Sequence, residues 1–249
     1  MDAVIVVEKF SKSFGSKQVH RDLDFHLNEG EVCALIGGSG SGKSVLCRAL
    51  IGLEKPDSGR IFFRGQDVTD YDENEWRHVR KKIAYVFQSG ALFDSLSVEE
   101  NLLYPLDAHR RDLSRKEKQA KIDEVLEMLG LKGANQLLPS SLSGGMQKRA
   151  GLARALMLDP EIILYDEPTA GLDPFNTKNI QDMINDMKAT GRAGVLVTHD
   201  MPSAFATCDR MSLLMEGRIA IEGPTAELRE NSFVQSFVTG EIAYGKAQQ

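Results

Sequence analysis

The sequence predicts an α/β fold, because short apolar runs that suit buried strands alternate with segments that suit helices. Residues 31–36 form one such run, a glycine-rich loop follows, and residues 45–51 can continue as a helix. Two later apolar runs, at 161–165 and 193–198, end in polar pairs, Asp166 with Glu167 and His199 with Asp200. Polar groups at the carboxyl ends of buried strands lie where open α/β sheets bind their ligands.

The loop after the first of these strands has the spacing G-x-x-x-x-G-K-S. Its residues are Gly37, Gly38, Ser39, Gly40, Ser41, Gly42, Lys43 and Ser44. Glycines let successive N–H groups point into one anion-sized hollow, and the following helix N-terminus adds partial positive charge. In this motif the lysine reaches the β- and γ-phosphates of a nucleotide and the serine hydroxyl ligates Mg²⁺. A plain flexible turn is the alternative, but the flanking strand and helix favour a nucleotide site.

Length and composition indicate an ordinary globular protein of one large or two small domains. The 249 residues are 42% hydrophobic and 27% charged. No uncharged apolar run reaches the ~18 residues of a membrane span, and the N-terminus lacks signal-peptide features, so we expect a cytoplasmic location. The net charge of −6 argues against nucleic acid as a partner, and the basic clusters at 77–82 and 109–121 suit solvated helix faces. We expect Cys33, Cys47 and Cys208, which form no C-x-x-C pair, to be small buried thiols.

The N-terminal third predicts several strands. Residues 4–10 suit a strand, 11–15 a turn and 18–27 a second strand, and a turn follows at 28–30. Phe14 has two interpretations at about equal weight, a platform for a purine ring or a core residue. Beyond the glycine loop, residues 56–59 predict a turn and 60–65 a short strand. Residues 82–87 predict a buried strand that ends at Gln88.

The middle of the chain predicts a helical insertion from 97 to 158. Ile122, Val125, Leu126 and Leu129 recur at helical spacing, and Gly130 is a plausible stop. A second glycine signature, Leu142-Ser143-Gly144-Gly145-Met146, precedes a predicted helix at 147–158. It places a serine hydroxyl and free N–H groups at a helix start, which suits an anion site or a helix cap alone.

The strand at 161–165 ends in two carboxylates, one suited to Mg²⁺ and the other to a general base for water. A lone histidine is usually structural, but at a strand end in a phosphate-binding sheet we predict that His199 contacts phosphate. Residues 212–215 and 218–221, separated by Glu216 and Gly217, predict a hairpin. The chain beyond Ala226 is predicted to be helical, and then polar from Gly245.

These motifs, in this order, make the chain resemble an ABC transporter ATPase subunit from end to end. The matching positions are Phe14 as the adenine-stacking aromatic, residues 37–44 as Walker A, Gln88 of the Q-loop, residues 142–146 as the signature, Asp166 and Glu167 of Walker B, Asp173 of the D-loop, and His199 of the H-loop. The resemblance implies a RecA-like P-loop NTPase core with an N-terminal antiparallel β-subdomain, drawn from residues 1–88 and 160–230. It also implies an inserted α-helical subdomain at 89–159 and a C-terminal tail at 231–249.

The resemblance further implies ATP and Mg²⁺ as ligands, with roles for named residues. The catalytic set would be Glu167, His199, Lys43 and Gln88, and the metal set Ser44, Gln88 and Asp166. The nucleotide would contact Phe14, the Walker A residues, Val45, Ser143, Gly144, Gly145 and Asp173. In this family two subunits pair head to tail, so Ser143, Gly144 and Gly145 would reach the ATP held by a second copy.

Finer features resemble the ATPases of Mla and Mce-type lipid transporters, namely residues 88–101 and the signature with Met146. Gly38 replaces a proline frequent in Walker A loops, and Tyr165 replaces an aliphatic residue. This implies phospholipid transport between bacterial membranes, on the cytoplasmic face of the inner membrane. The implied partners are a transmembrane permease, a periplasmic MCE-type lipid-binding ring and a small STAS-domain protein, without direct nucleic-acid contact.

Two other functions stay open at this point. An importer of polar solutes such as amino acids shares every catalytic motif. A soluble ABC protein that acts on nucleic acid fits less well, since such proteins usually carry duplicated cassettes or long insertions. The tail at 231–249 either contributes to partner contacts or is a frayed terminus.

Overall fold

The computed structural model describes residues 2–88 and 90–241. The strands in these residues are β1 (Ala3–Phe14), β2 (Lys17–Asn28), β3 (Val32–Gly37), β4 (Ser58–Phe63), β5 (Gln66–Asp67), β6 (Ile83–Val86), β7 (Ile162–Asp166), β8 (Ala193–Thr198), β9 (Arg210–Met215) and β10 (Arg218–Pro224). The α-helices are α1 (Lys43–Leu50), α2 (Glu73–Arg80), α3 (Val98–His109), α4 (Arg115–Met128), α5 (Gly144–Leu156), α6 (Pro174–Ala189), α7 (Met201–Thr207), α8 (Thr225–Leu228) and α9 (Ser232–Val238).

The strands form two sheets. An antiparallel sheet has the order β2-β1-β4-β5, and a six-stranded sheet has the order β10-β9-β3-β8-β7-β6. In the second sheet β9, β3, β8, β7 and β6 are parallel, and β10 runs antiparallel at the edge as one arm of the predicted hairpin. The α/β fold class, with an N-terminal antiparallel sheet and inserted helices, is therefore confirmed.

The six-stranded sheet is covered on both faces. Along β3, Val32, Ala34 and Ile36 belong to one hydrophobic cluster, whereas Cys33 and Leu35 belong to the other. The first cluster packs the sheet against α3 to α6, and the second packs it against α1, α2 and the antiparallel sheet. Burial on both faces explains why β3 and β8 are apolar throughout rather than alternating.

Helices α3, α4 and α5 lie between β6 and β7 in the chain, where the periodicity predicts them. Ile122, Val125, Leu126 and Leu129 are all buried, and Gly130 follows α4 with a φ of 63°. The boundaries of a separate helical subdomain at 89–159 stay a prediction. Cys33, Cys47 and Cys208 are buried free thiols, as expected.

Several local predictions were wrong. No turn begins at Ser11, because β1 continues to Phe14: Ser13 pairs with Gln18 and Phe14 with Lys17, and register shifts accommodate the polar residues. Helix α5 begins at Gly144 rather than at 147, whereas α1, from Lys43 to Leu50, contains residues 45–50 as predicted. The strand expected at 60–65 lies at Ser58–Phe63.

Helix α2 was not predicted, because only two of its residues are buried. Asp72 caps it and forms a reciprocal capping box with Glu75, and Trp76 and Val79 pack into the core. Helices α8 and α9 confirm the helical prediction beyond residue 226 in part. Residues 242–249 of the predicted tail lie outside the described residues. No described helix has the length and apolarity to cross a membrane.

A buried ion pair joins the two sheets. Arg210, at the start of β9, donates from Nε to Oε1 of Glu31 over 2.6 Å, and it also donates to the carbonyl oxygen of His26 in β2. The side chains of Arg210 and Glu31 are only 11% and 8% exposed. Because a buried charge without its partner is costly, this pair restricts how the antiparallel sheet sits on the core.

We expect Glu31→Gln to lower the free energy of unfolding by about 3 kcal/mol, the low end for a broken buried pair because Glu222 still faces Arg210 at 3.2 Å. Asp182→Asn removes the exposed partner of Lys178 and should cost less than about 1 kcal/mol. Denaturant unfolding measures both variants. Equal losses would contradict the role given to the buried pair.

Candidate active site

The predicted site residues converge at one edge of the six-stranded sheet. Residues 37–44 join β3 to α1, Asp166 ends β7 with Glu167 next in the chain, and His199 follows β8. Ile36 pairs with Thr198 and Asp166 pairs with Val197, so these three strand ends lie side by side. Residues more than 120 positions apart in the sequence thus share one site.

The glycine loop is shaped by positions that tolerate no side chain. Gly42 precedes α1 with a φ of 102°, a conformation that favours glycine. A Cβ atom there would lie 2.6 Å from the ring of His20. At Gly37 a Cβ atom would lie 2.6 Å from the carbonyl oxygen of Leu214. The loop therefore turns tightly, with strands β2 and β9 packed behind it.

Two side chains of the loop are placed to meet an anion. Lys43 Nζ donates to the carbonyl oxygens of Gly37 (2.7 Å) and Gly38 (3.1 Å). Burial lowers the pKa of Lys43, and the nearby carboxylates of Glu167 and Asp166 oppose that shift. The hydroxyl of Ser41 is buried without a hydrogen-bond partner among the described residues. An orphaned hydroxyl beside a lysine fits a ligand phosphate.

Asp166 is held from the neighbouring strand. Tyr85, in β6, donates its hydroxyl to Oδ2 of Asp166 over 2.7 Å, and its ring packs on Phe87 with centroids 4.4 Å apart. Burial raises the pKa of Tyr85 above its ordinary value, so the hydroxyl keeps the proton that it donates. Ser44, half-buried, opens α1, and Gln88 is exposed just beyond β6.

The described residues contain no cluster of three or more histidines, cysteines or carboxylates that would cage a metal by themselves. Mg²⁺ differs from other metals in this respect, since it is usually held by one or two carboxylates together with substrate phosphates. Asp166 supplies one oriented carboxylate beside a loop that suits phosphate. This arrangement fits Mg²⁺.

Glu167 and His199 form a contact pair. His199 Nδ1 lies 2.9 Å from Oε2 and 3.0 Å from Oε1 of Glu167, so the ring N–H donates to the carboxylate. The Glu167 side chain is 16% exposed and that of His199 is 67% exposed. Glu167 has a φ of 49°, uncommon for a residue with a side chain, and its N–H donates to the carbonyl of Val197 over 2.9 Å. The Glu167 carboxylate is thus held at the strand end between a backbone hydrogen bond and the largely exposed His199 ring.

The second glycine signature forms a capped helix start. Ser143 accepts a hydrogen bond from Met146 N over 3.3 Å, Gly144 is exposed, and a Cβ at Gly145 would lie 2.4 Å from Oδ1 of Asn176. Asp173 caps α6 by accepting from Phe175 N and Asn176 N, both over 3.0 Å. The signature and the D-loop position therefore pack together.

The signature does not join the glycine loop within one chain. In the part of the chain that the structure describes, no hydrogen bond or ion pair links Ser143, Gly144 or Gly145 with residues 37–44. Lys148 of α5 donates instead to the carbonyl oxygens of Pro168 (2.9 Å) and Ala170. The two anion-site candidates of this chain are separate surfaces.

Phe14 is 46% exposed, so the structure excludes the core interpretation. It lies at the tip of the β1–β2 hairpin, with Lys12 Nζ 5.3 Å from its ring centroid. From this hairpin, Lys17 and Val19 line a cavity of about 310 Å³ together with residues 38–41. Phe14 is thus at the tip of a hairpin whose second strand lies beside the glycine loop.

The motifs missed three residues of this region, namely His20, Tyr85 and Lys148. Tyr85 lies three positions before Gln88, in a strand predicted from its apolar residues, and any large side chain at this position would give the same prediction. His20 lies in a strand of alternating polarity, and Lys148 in a helix with other basic residues. Nothing in the local sequence distinguishes them, because their partners lie 20 to 81 positions away.

The chain is similar to known transport proteins over most of its length. A family profile described as ABC transporter matches residues 20–170. A protein of Mycobacterium leprae named as a probable ribonucleotide transport ATP-binding protein, mkl, is 39% identical over 245 residues, which is 96% of this chain and 70% of the relative. The Arabidopsis thaliana protein TRIGALACTOSYLDIACYLGLYCEROL 3, chloroplastic, is 38% identical (97% and 75%), and the methionine import ATP-binding protein MetN of Geobacillus kaustophilus is also 38% identical (92% and 68%).

Solved structures agree with this similarity. The dimeric structure of a post-hydrolysis state of the ATP-binding cassette MJ0796, bound to ADP and Pi, matches with a TM-score of 0.81 and 31% identity, covering 89% of this chain and 98% of that one. The structure of cbiO1 from Clostridium perfringens, part of the ABC transporter complex cbiONQ, matches with a TM-score of 0.84 and 28% identity, covering 97% and 96%. With the family profile covering more than half of the sequence, this chain belongs to the ABC transporter family, as an ATP-binding subunit whose ATP hydrolysis is coupled to transport.

Proposed function

We propose that this chain is the ATPase of a phospholipid transporter of the Mla and Mce type, working as a head-to-tail dimer on a membrane permease. The observation that carries the ATPase part is the meeting of Lys43, Asp166, Glu167 and His199 at one sheet edge. Positioning and charge stabilisation dominate phosphoryl transfer to water, and this cluster supplies both.

The glycine loop binds the phosphates in this proposal. Backbone N–H groups of residues 37–44 and of Val45 surround them, and Lys43 leaves the carbonyls of Gly37 and Gly38 to pair with them. The buried Ser41 hydroxyl gains the partner that it lacks. Phe14 stacks on the adenine, since its exposed ring lies at the tip of the hairpin whose second strand lines the cavity beside the loop.

Ser44, Gln88 and Asp166 hold Mg²⁺, directly or through water. When bound, Mg²⁺ neutralises charge on the phosphate oxygens. Tyr85 fixes the orientation of Asp166, and Gln88, at the end of the β6 segment, lies between the core and the inserted helices. That place suits a residue that relays nucleotide state to a permease.

Glu167 orients and polarises the attacking water, and His199 holds the Glu167 carboxylate from its solvent side. The exposed position of His199 also leaves its ring able to contact the γ-phosphate, as the resemblance implies. A carboxylate fixed by backbone and imidazole contacts costs little reorganisation when water binds.

A second copy completes the site. Among the described residues, Ser143, Gly144 and Gly145 form no hydrogen bond or ion pair with their own glycine loop, and Asp173 packs beside them through Asn176. A helix start with a capping serine and an exposed glycine, Gly144, suits an anion, and its occupant in this proposal is the γ-phosphate held by another subunit. The dimeric state of the similar MJ0796 cassette supports this arrangement.

The lipid cargo is supported by sequence rather than by site geometry. Residues 88–101 and Met146 resemble lipid-transport ATPases, and one relative carries the name of a galactolipid. We place the dimer on the cytoplasmic face of the inner membrane. A permease, an MCE-type ring and a STAS-domain protein are its partners, and nucleic acid is not. Relatives named for methionine and ribonucleotide transport keep a polar-solute transporter as the second candidate.

The first test is Glu167→Gln. We expect ATP hydrolysis to fall at least about 100-fold, because the water loses its base, while ATP binding persists and the dimer is trapped. Glu124→Gln, an exposed position on α4, is the control and should hydrolyse ATP normally. Size-exclusion chromatography with light scattering and phosphate release give both readouts. Normal turnover of Glu167→Gln would refute the role of this residue.

A second test removes one oxygen atom, in Tyr85→Phe. We expect half-saturation of ATP binding to need about tenfold more Mg²⁺, because Asp166 loses the donor that orients it. Binding of ATP without Mg²⁺ should not change. Tyr104→Phe, at an exposed tyrosine, is the matched control. An unchanged Mg²⁺ requirement would separate Tyr85 from metal binding.

The cargo is tested by purifying the native complex in mild detergent and identifying its proteins and lipids by mass spectrometry. We expect a permease and phospholipid, and ATPase stimulation by phospholipid but not by methionine or ribonucleotides. Stimulation by a polar solute instead would favour the second candidate. A complex without any permease would overturn both.

A further inference from the structure

His20 lies outside every motif of the sequence, yet its side chain contacts the glycine loop directly. It is completely buried in β2, and Nε2 lies 3.0 Å from the carbonyl oxygen of Gly42. A carbonyl only accepts, so Nε2 carries a proton and donates it. Burial lowers the pKa of His20, although contacts with the backbone of Gly42 and Gly217 oppose that shift.

The contact is tight as well as polar. A Cβ atom on Gly42 would lie 2.6 Å from Cε1 and 2.7 Å from Nε2 of His20, and 2.7 Å from Cγ1 of Val19. These neighbours form a wall against which the last glycine of the loop rests. The wall is itself fixed, because the Phe10 ring packs edge-on against His20 at 5.4 Å and Arg21 N donates to the carbonyl of Gly217 over 3.1 Å.

The hydrogen bond from His20 to the Gly42 carbonyl also restrains the Lys43 N–H, which belongs to the same peptide group. The C=O of Gly42 and the N–H of Lys43 belong to one planar trans peptide, so the two groups point in opposite directions. The C=O also accepts from Val45 N (2.9 Å) and Leu46 N (3.0 Å), which aligns it with α1. Because glycine has more backbone freedom than any other residue, Gly42 itself restrains the rotation of this peptide little. A hydrogen bond from His20 therefore matters here.

We propose that His20 is a positioning residue of the nucleotide site, which aims the Lys43 N–H at the bound phosphate by holding the Gly42 carbonyl. The inference rests on the proposed role of residues 37–44 as the phosphate cradle. Through His20, strand β2, whose hairpin carries the exposed Phe14, is linked rigidly to the phosphate loop. Base contact and phosphate contact are then set by one connected unit.

The competing explanation is that His20 only fills space. Two substitutions separate the explanations, since His20→Leu keeps apolar volume without a donor and His20→Gln keeps a donor at similar reach. Lys43→Ala reports on the cradle itself. His78→Leu removes an exposed histidine on α2 and serves as the control.

The measurement is ADP affinity by titration calorimetry, with thermal unfolding of every variant. We expect about tenfold weaker binding for His20→Leu, in the range of one lost hydrogen bond, and a change within about threefold for His20→Gln. His78→Leu should match the wild type. The Lys43 amide resonance of the ADP complex should shift in His20→Leu and return towards its wild-type position in His20→Gln.

Wild-type affinity in His20→Leu, or equal losses in both His20 variants, would overturn the proposal in favour of packing. If Lys43→Ala binds ADP as tightly as the wild type, the cradle itself is wrongly assigned, which is a different failure. If His20→Leu does not fold, histidine-selective ¹⁵N spectra of the wild type decide. A proton on Nε2 that is protected from exchange supports the hydrogen bond, and a proton on Nδ1 alone refutes it.

Discussion

The parallel register of β3, β8 and β7 is the constraint on which the rest of the site depends. It aligns Ile36 with Thr198 and Val197 with Asp166, and so brings a glycine loop, two carboxylates and a histidine to one edge. In a buried parallel sheet, a slip of one residue would turn every side chain to the opposite face. Because both faces of this sheet are covered by apolar clusters, such a slip is costly, and the catalytic geometry gains its precision from core packing.

The charged side chains at this edge of the sheet suit a ligand that carries both negative and positive charge. Two carboxylates and one lysine lie there, and the lysine donates hydrogen bonds to two carbonyl oxygens of the loop. In the proposed complex, a nucleotide with Mg²⁺ would offer phosphates to the lysine and the loop amides, and a cation to Asp166. Glu167 is held by His199 and by its own backbone hydrogen bond to Val197.

Contacts around the signature connect the carboxylate end of β7 to the helices α5 and α6. Lys148 ties α5 to the segment after Glu167, while Asn176 fills the space beside Gly145 and is itself held by Asp173. Short polar contacts therefore link the segment after the carboxylates to the signature helix. Such a connection is compatible with the proposed dimer, in which the signature meets a second subunit.

The sequence by itself determined the class of fold, the glycine loop, the strand-terminal acids and the histidine, because each depends on spacing within a few residues. Glycines at 37 and 42, an apolar run before them and a helix after them are local properties. Short-range signals failed where burial was sparse, as in α2, or where pairing overrode composition, as in β1 at Ser11 to Phe14.

Only the tertiary structure decided the contacts of His20 and Tyr85 and the exposure of Phe14. The hydrogen-bond partner of His20 lies 22 positions away, and that of Tyr85 lies 81 positions away, in a different strand. Strand order and packing create these contacts, and nothing in a local pattern records which polar side chain meets which backbone group. A motif identifies the atoms that touch a ligand, whereas the groups that aim those atoms emerge only when the chain is folded.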